Sequence, residues 1–524
     1  MSALTSRSAG RIRGRNGTKA TKPDPVVAGV RWLDERLGVA KGGRTLLDKI
    51  FPDHWSFLLG EIALYSFVVL IATGIFVSLY FIPSAKELIY HGPYVPLRGS
   101  RVSAAFESTV NLSFGVRSGL VIRQMHHWAA DVFVGSIAVH MCRIFFTGAF
   151  RKPRELNWMI GITLLILALT NGFIGYSLPD DLVSGTGLRI MFSIVLSIPV
   201  VGSYLATFLF GGNFPGDGSI IPRLFILHVL VVPLIIFGLL GAHLGLLVRQ
   251  KHTQFPGHGR TEKNVVGSPM YPTFIAKTTG FLFVTTGVLW ALGGLAQINP
   301  IWQFGQYEPY KISYAVQPDW YMGWLDGALR IMPPISWTLW GHTIPFVILF
   351  PAVLFPGICF NLFYVWPMVE AKVTGDRAEH NLLDRPRDKP RRTAIGVASL
   401  TFFFVLFAAS STDVLANYFK VSLNEVLWFF RFAVFVIPSA AGIFAYYLCR
   451  EMSGVPGIGR RKRAVVITRT AQGEYESVST APRPGDEADH EELLPTPVPA
   501  RIELNGELES VEAAGSGVRR IPRP

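Results

Sequence analysis

Charge is scarce in this chain. Asp, Glu, Lys and Arg make up 16% of its 524 residues, and half of all residues are hydrophobic. Soluble domains carry about 25% charge. The deficit, together with many long apolar runs, excludes an ordinary soluble enzyme and implies a polytopic membrane protein. Cysteine is scarcer still: Cys142, Cys359 and Cys449 are the only three, each in or at the end of an apolar run. Neither C-x-x-C nor C-x-x-C-H occurs, which argues against thiolate-bound metal, a disulfide framework and c-type haem. The N-terminus has no short apolar core with a small-residue cleavage site, so it reads as a retained arm rather than a signal peptide. No G-x-G-x-x-G follows the last apolar run, so no soluble nucleotide-binding domain is expected there.

What charge there is lies in particular places. The formal net charge is +13, and eleven Lys and Arg residues precede the first apolar run, within residues 1–50. Others crowd Arg151–Arg154, Val248–Lys263, Asp384–Arg392 and Arg460–Arg463. These segments alternate with less basic ones, the pattern of cytoplasmic loops rather than of a nucleic-acid surface. Eight runs are long enough to cross a bilayer: Trp55–Ile82, about Val116–Phe150, Leu156–Leu178, Pro222–Val248, Phe274–Ile298, Gly341–Val369, Thr393–Ser411 and Val426–Leu448; about 20 residues suffice. A ninth, Ile190–Gly212, is broken by Pro199 and Gly202. A crossing there would throw the basic loop after the fourth span outside, so it reads as two short helices on the outer face. The fold class is therefore all-α, with eight transmembrane helices and both termini cytoplasmic. The expected layout is a basic arm (1–50), a four-helix unit (51–250), a cytoplasmic loop (251–273), four further helices with an outer loop (274–450), and a disordered tail (451–524). Residues 1–25 are likewise expected to be disordered.

The second span carries His126 and His140, fourteen residues apart. That spacing is nearly four helical turns, so both lie on one face, about 21 Å apart along it. His127 falls off that face and is the poorer ligand candidate. The fourth span carries His228 and His243, fifteen apart, which leaves them about 60° out of line. A modest bend or bulge near Pro233 absorbs the difference. One span separates the two helices, so they run in the same direction. His126 then meets His228 near the outer face, and His140 meets His243 near the inner face. A lone intramembrane histidine ordinarily hydrogen-bonds a neighbour; four, paired in depth, form two bis-histidine haem sites. Arg123 and Arg143 lie just outside the pair, where haem propionates would point, or serve as ordinary cations at the membrane edge. Gly60 and Gly74 in the first span, and Gly161 and Gly175 in the third, repeat the spacing of fourteen. Glycine lets a helix backbone approach a flat macrocycle closely.

These residues resemble cytochrome b, the membrane subunit of quinol–cytochrome c reductases, over about Trp55–Leu448. The resemblance is carried by the run from Arg123 to Trp158, by "GFIGYSLP" (Gly172–Pro179), by the paired glycines and by "QPDWY" (Gln317–Tyr321). The long arms, the "PDWY" spelling and "GYSLPDD" are similar to the actinobacterial branch, which implies menaquinol as reductant. The fifteen-residue spacing and "RKPREL" are similar to the chloroplast-type relative, but Leu58 stands where that relative attaches an extra haem through cysteine. Asp319 replaces the family's usual glutamate, Asp326 a tyrosine found in mitochondrial members, and Asp180 a frequent tryptophan.

The resemblance implies two non-covalent b haems, with His126 and His228 on the outer iron and His140 and His243 on the inner. It places quinol oxidation at Pro318, Asp319, Trp320 and Tyr321, in the outer loop between the fifth and sixth spans. There a carboxylate such as Asp319 accepts a quinol proton and Tyr321 donates a hydrogen bond; on position alone the same loop reads as an interfacial aromatic belt with a surface acid. One electron is then expected to leave to a Rieske iron–sulfur partner and a cytochrome c, and the other to reach an inner quinone site. Lys277, Arg249 and Lys251 are candidates for that site, or ordinary positive-inside cations. Proton release outside and uptake inside, a homodimer, association with a terminal cytochrome c oxidase, residence in a bacterial plasma membrane with its lipid, and no nucleic-acid partner complete the expectation. The alternatives are a dihaem ferric reductase or NADPH oxidase, which needs a flavin and nucleotide domain, and a transporter without haem.

Overall fold

A computed structural model describes residues 25–38, 43, 46–311, 317–339, 341–453, 464–469 and 475–480. Among them, eight helices are long and apolar enough to cross a membrane: Trp55–Ser78, Gly119–Phe146, Glu155–Tyr176, Ile220–Gln250, Met270–Leu295, Phe346–Thr374, Pro390–Ala409 and Leu423–Met452. Each coincides with one of the eight apolar runs, shifted by a few residues at its ends. In lipid an unsatisfied backbone polar group is costly, so an apolar run of this length closes its hydrogen bonds within itself as a helix. Local chemistry sets the ends. Gly148 stops the second span in the left-handed conformation, its N–H donating to the carbonyls of Ile144 and Phe145. Ser422 and Glu425 form a reciprocal capping box at the start of the eighth.

The ninth run is not among these eight helices. It is divided between a helix at Leu182–Leu196 and another at Gly202–Phe210, with Pro199 between them. Asp181 starts the first of these by accepting hydrogen bonds from the N–H groups of Val183 and Ser184.

The first four spans surround one apolar core that includes Phe67, Phe133, Leu164, Ala168, Leu224 and Ile236. The first span packs on the second and the third on the fourth. A second core joins the seventh and eighth spans to the short helix Gly323–Ile331 through Leu406, Phe430 and Ala328. Gly327 allows this approach, because a methyl group there would run into the carbonyl of Leu406.

The fourth span is not uniformly α-helical. It widens to a π turn at Leu227–Val231, which contains His228 and stands just before Pro233. Proline has no N–H, and its ring crowds the carbonyl one turn back. A π turn takes more residues per turn, so it relieves the crowding and absorbs the fifteenth residue between His228 and His243. Two further π turns, Met270–Phe274 and Phe350–Leu354, contain Pro272 and Pro351.

At the end of the bundle away from His126, the arginines of "RKPREL" knit three loops. Arg154 donates to the carbonyls of His380 (2.7 Å) and Gln250 (3.1 Å) and to the Asn381 side chain (2.7 Å). Arg392 is buried between Glu370, which it grips through both nitrogens of its fork, and Asp384 at 2.7 Å; Arg151 shares Asp384 at 3.2 Å. Strand pairing of Ile50–Phe51 with Ser268–Pro269 fastens the segment before the first span to the loop after the fourth.

The chain divides into two units, Met1–Val455 and Pro456–Pro524. In the second, Ala464–Arg469 pairs antiparallel with Tyr475–Thr480. The run Val465-Val466-Ile467-Thr468 is β-branched throughout, which favours a strand. The rest of that tail, and residues 1–24, lie outside the described residues. Within the arm, Pro25–Leu37 is helical.

Arg392→Met leaves Glu370 and Asp384 as buried charges with less compensation. Such losses cost about 3–5 kcal/mol, so the purified variant is expected to melt at a clearly lower temperature. An unchanged melting temperature would show that the cluster contributes nothing to stability.

Candidate functional site

The second and fourth spans bring their histidines together at matching levels. The rings of His126 and His228 face each other with centroids 6.2 Å apart and planes at 80°. His126 Nδ1 lies 2.9 Å from the hydroxyl of Thr73, which itself donates to the carbonyl of Val69; the ring is therefore the donor in that contact. His228 Nδ1 donates to the carbonyl of Asn171 at 3.0 Å. Both bonds place the proton on Nδ1 and leave the Nε2 lone pair free for a metal. The separation accommodates one ion with a bond of about 2 Å to each ring. At the other level, Nδ1 of both His140 and His243 is buried with no hydrogen-bond partner. Buried polar atoms are normally satisfied, so this pair too has capacity the protein does not use.

The four glycines seat these rings. A methyl group on Gly60 or Gly74 would come 3.2 Å from Cε1 of His140 or His126, and one on Gly161 would come 3.7 Å from Cε1 of His243. On Gly175 it would collide with His228. The space that the spacing argument assigned to a macrocycle beside the backbone is taken, at its edge, by the imidazoles themselves.

Arg123 and Arg143 have donors to spare. Arg123 is buried, gives Nη2 to the carbonyl of Asn299 at 3.0 Å, and leaves Nε without a partner. Arg143 sits 4.4 Å over the Phe57 ring with Nε and Nη2 unpaired. Neither forms an ion pair among the described residues. A ligand carboxylate near each would satisfy these donors. Free imidazole nitrogens, small residues behind the rings and orphaned guanidinium donors together fit a bis-histidine haem with propionates at each level.

A cavity of about 400 Å³ adjoins the His126–His228 pair. Asp319, Tyr321 and His127 line its wall, whereas Pro318 and Trp320 do not. The Tyr321 hydroxyl donates to Asp319 Oδ2 at 2.9 Å, and His127 Nε2 donates to Oδ1 at 3.1 Å. The loop is held from behind: Gln317 donates to Asp413 at 3.1 Å, and a methyl on Gly135 would lie 3.4 Å from the Trp320 ring. Gly172 leaves room for the Tyr321 hydroxyl.

Comparison with known proteins identifies the family. Residues 131–306 match a family model described as cytochrome b(N-terminal)/b6/petB. The cytochrome b subunit of the cytochrome bc1 complex of Streptomyces coelicolor is 45% identical, over 94% of this chain and 90% of its own length. The subunit of the same name from Corynebacterium diphtheriae is 48% identical over 90% and 87%, and that of Mycobacterium tuberculosis 47% over 93% and 88%. The chain belongs to the cytochrome b subunits of cytochrome bc1 complexes. Its fold is also that of a solved structure titled hyperthermophilic respiratory Complex III, with a TM-score of 0.58 at 21% identity, covering 80% of this chain and all of the other. The family supports a quinol–cytochrome c reductase subunit over a ferric reductase, an NADPH oxidase or a transporter.

Within this cytochrome b, two residues beside Asp319 were not assigned to the outer site from the sequence. His127 does point away from the His126 face, but that direction is toward the loop and Asp319. Asp131, one turn further, lies on the same side and is buried. An acid four residues after a histidine inside an apolar span was the available signal. The inner candidates fare differently. Lys277 is held by Asp53 at 2.9 Å, both half exposed, and Arg249 and Lys251 share no partner with it. His252, not among the candidates, is half-buried against Phe51 and Phe57, with its Nε2 buried and unpaired. Burial, then the charges of Arg143, Lys49 and Arg154, push its pKa down to about 4.

The family departures are also placed. Asp326 pairs with Arg330 at 2.8 Å, and Arg330 with Asp413 at 3.0 Å. Asp180 is half-buried, and loss of hydration pushes its carboxyl up to about 6; a hydrogen bond with Ser103 opposes the shift and the neighbouring Asp181 adds to it. A raised folded-state pKa means that ionisation disfavours the fold, so this group's contribution falls as pH rises from the ordinary carboxylate range through about 6. Asp180→Asn is therefore expected to stabilise the protein by on the order of 3 kcal/mol at pH 8, and by about half that near pH 5. Melting temperatures of the two forms at both pH values check this; an equal difference at both would contradict it.

Proposed function

We propose that the chain oxidises menaquinol in the cavity beside His126 and His228, with Asp319 as the proton acceptor. The observation that carries this reading is the position of Asp319. Its carboxylate stands on the cavity wall, with one oxygen held by Tyr321 and the other by His127. A bound quinol presents a hydroxyl to this wall. Asp319 takes its proton within hydrogen-bond reach, as a general base. Tyr321 keeps the carboxylate oriented and offers a donor to the ring oxygen once that oxygen has lost its hydrogen. The apolar remainder of the cavity excludes water from the reacting oxygen.

His126 with His228, and His140 with His243, are assigned to two b haems, and Arg123 and Arg143 to their propionates. When bound, these haems supply one-electron carriers that take one electron of the quinol to an inner quinone site, while the other leaves to a Rieske iron–sulfur partner and a cytochrome c. Lys277, Arg249 and Lys251 remain assigned to the inner site, and His252 joins them on the strength of its unpaired nitrogen. The basic loops are assigned to the cytoplasmic side of a bacterial plasma membrane, with both termini there. Quinol protons then leave on the Asp319 side and are taken up on the other, so turnover builds a proton gradient. A homodimer, associated with lipid and with a terminal cytochrome c oxidase, is the proposed working assembly.

Asp319→Asn keeps the shape of the side chain and removes its basicity. It is expected to slow steady-state menaquinol oxidation by about 10²-fold while the reduced-minus-oxidised haem spectrum is retained. Wild-type turnover in this variant would remove Asp319 from the reaction.

A further inference from the structure

We infer that Arg431, on the eighth span, is the headgroup site of a tightly held phospholipid, whose phosphate it binds and whose acyl chains lie along Phe432 and Phe435. Arg431 is the ninth residue of the helix Leu423–Met452, about 12 Å along its axis from the start. That helix has 30 residues, which makes it about 45 Å long, and the hydrocarbon core it crosses is about 30 Å thick. Centred, the helix puts the Arg431 backbone about 5 Å inside the core. A guanidinium there is always charged and is costly without a partner. The protein supplies only part of one. Nε donates to the carbonyl of Ile331 at 2.8 Å, at the end of the short helix Gly323–Ile331. Nη1 and Nη2 have no hydrogen-bond partner, and no acid pairs with the group among the described residues. Satisfying the carbonyl at a helix end takes one nitrogen. The two that remain are enough for a bidentate grip on a phosphate.

The surroundings select a lipid over a soluble anion. The guanidinium carbon lies 4.9 Å from the centroid of the Trp428 ring. Trp428, Phe432 and Phe435 are exposed, and Trp428 stacks on Phe432 with centroids 5.9 Å apart. Residues three and four apart share one side of a helix, so positions 428, 431, 432 and 435 form a single stripe. An indole is favoured at headgroup level. The cation comes next along the stripe, and the phenyl rings lie deeper still. That order, polar end toward the near surface and apolar end toward the middle, is the order of a phospholipid in the same leaflet. The long arginine side chain lets its head rise toward a lipid phosphate, whose one negative charge balances it. A soluble anion brings charge to the same place but nothing to cover Phe432 and Phe435. The inference uses only that the eighth span crosses a bilayer, so it stands apart from the quinol reaction proposed above.

The test purifies the wild-type complex, Arg431→Gln and Arg431→Met in parallel in detergent. Phospholipid retained per chain is counted by extraction and mass spectrometry. Melting temperatures are measured after incubation with phosphatidylglycerol, and with a phosphate-free glycolipid as control. The wild type is expected to keep one more phospholipid per chain than either variant. It is expected to melt higher with phosphatidylglycerol than with glycolipid, and each variant to melt equally with both. Gln still donates to the Ile331 carbonyl, so Arg431→Gln separates loss of the charge from loss of that bond. A wild-type phospholipid count in either variant overturns the site. Loss of another subunit from the variants at an unchanged phospholipid count also overturns it, in favour of a protein partner. The wild type alone provides a measurement that needs no variant to fold: equal melting with the two lipids overturns the phosphate as ligand.

Discussion

Everything in the front half of this molecule is arranged around imidazoles that the protein itself leaves unsatisfied. Four histidines lie inside apolar spans at two levels. At the inner level both Nδ1 atoms are orphaned, and at the outer level two hydrogen bonds fix Nδ1 and leave Nε2 open. Burying such groups without partners costs free energy. The fold accepts that cost at both inner rings, and it places a glycine behind each of the four. Glycines at four positions, a π turn at His228 and the separation of the second and fourth spans all serve the same geometry. A ligand that bonds an imidazole nitrogen on both sides and presents carboxylates to Arg123 and Arg143 would fill the open positions between the rings and satisfy the spare guanidinium donors.

The second half of the chain supplies what the bundle lacks. The loop after the fifth span places an acid, a phenol and an indole against the second span, and the short helix Gly323–Ile331 anchors that loop to the seventh and eighth spans. Asp319 thereby reaches the cavity beside the outer histidine pair although 192 residues separate it from His127. The outer histidine pair and Asp319 share one cavity because two separate parts of the chain meet there.

Much of this was legible in the order of residues, for identifiable reasons. Spans are readable because a bilayer enforces one length and one backbone solution. The depth pairing of His126 with His228 follows from a fourteen-residue period and one intervening helix. Even the mismatch of fifteen pointed to an irregularity near Pro233, and the π turn stands there. Other features were hidden. His127 was set aside because helical geometry turned it from the His126 face, and nothing in one helix says what waits on its other side. Asp131 and His252 depend on tertiary burial, which no local pattern reports. Asp326 stands where mitochondrial members have a tyrosine, yet it is spent on Arg330, which also pairs with Asp413 83 residues away. The pairing of Ala464–Arg469 with Tyr475–Thr480 matches the strand preference of the β-branched run Val465–Thr468.

The central claim is that the two histidine levels each hold one iron between two imidazoles. Haem b content per chain of the purified protein, measured as the pyridine haemochrome against chain concentration, tests it most directly. The account predicts two haems per chain, both released by acid acetone because neither is covalently attached. A ratio of zero or one would contradict it.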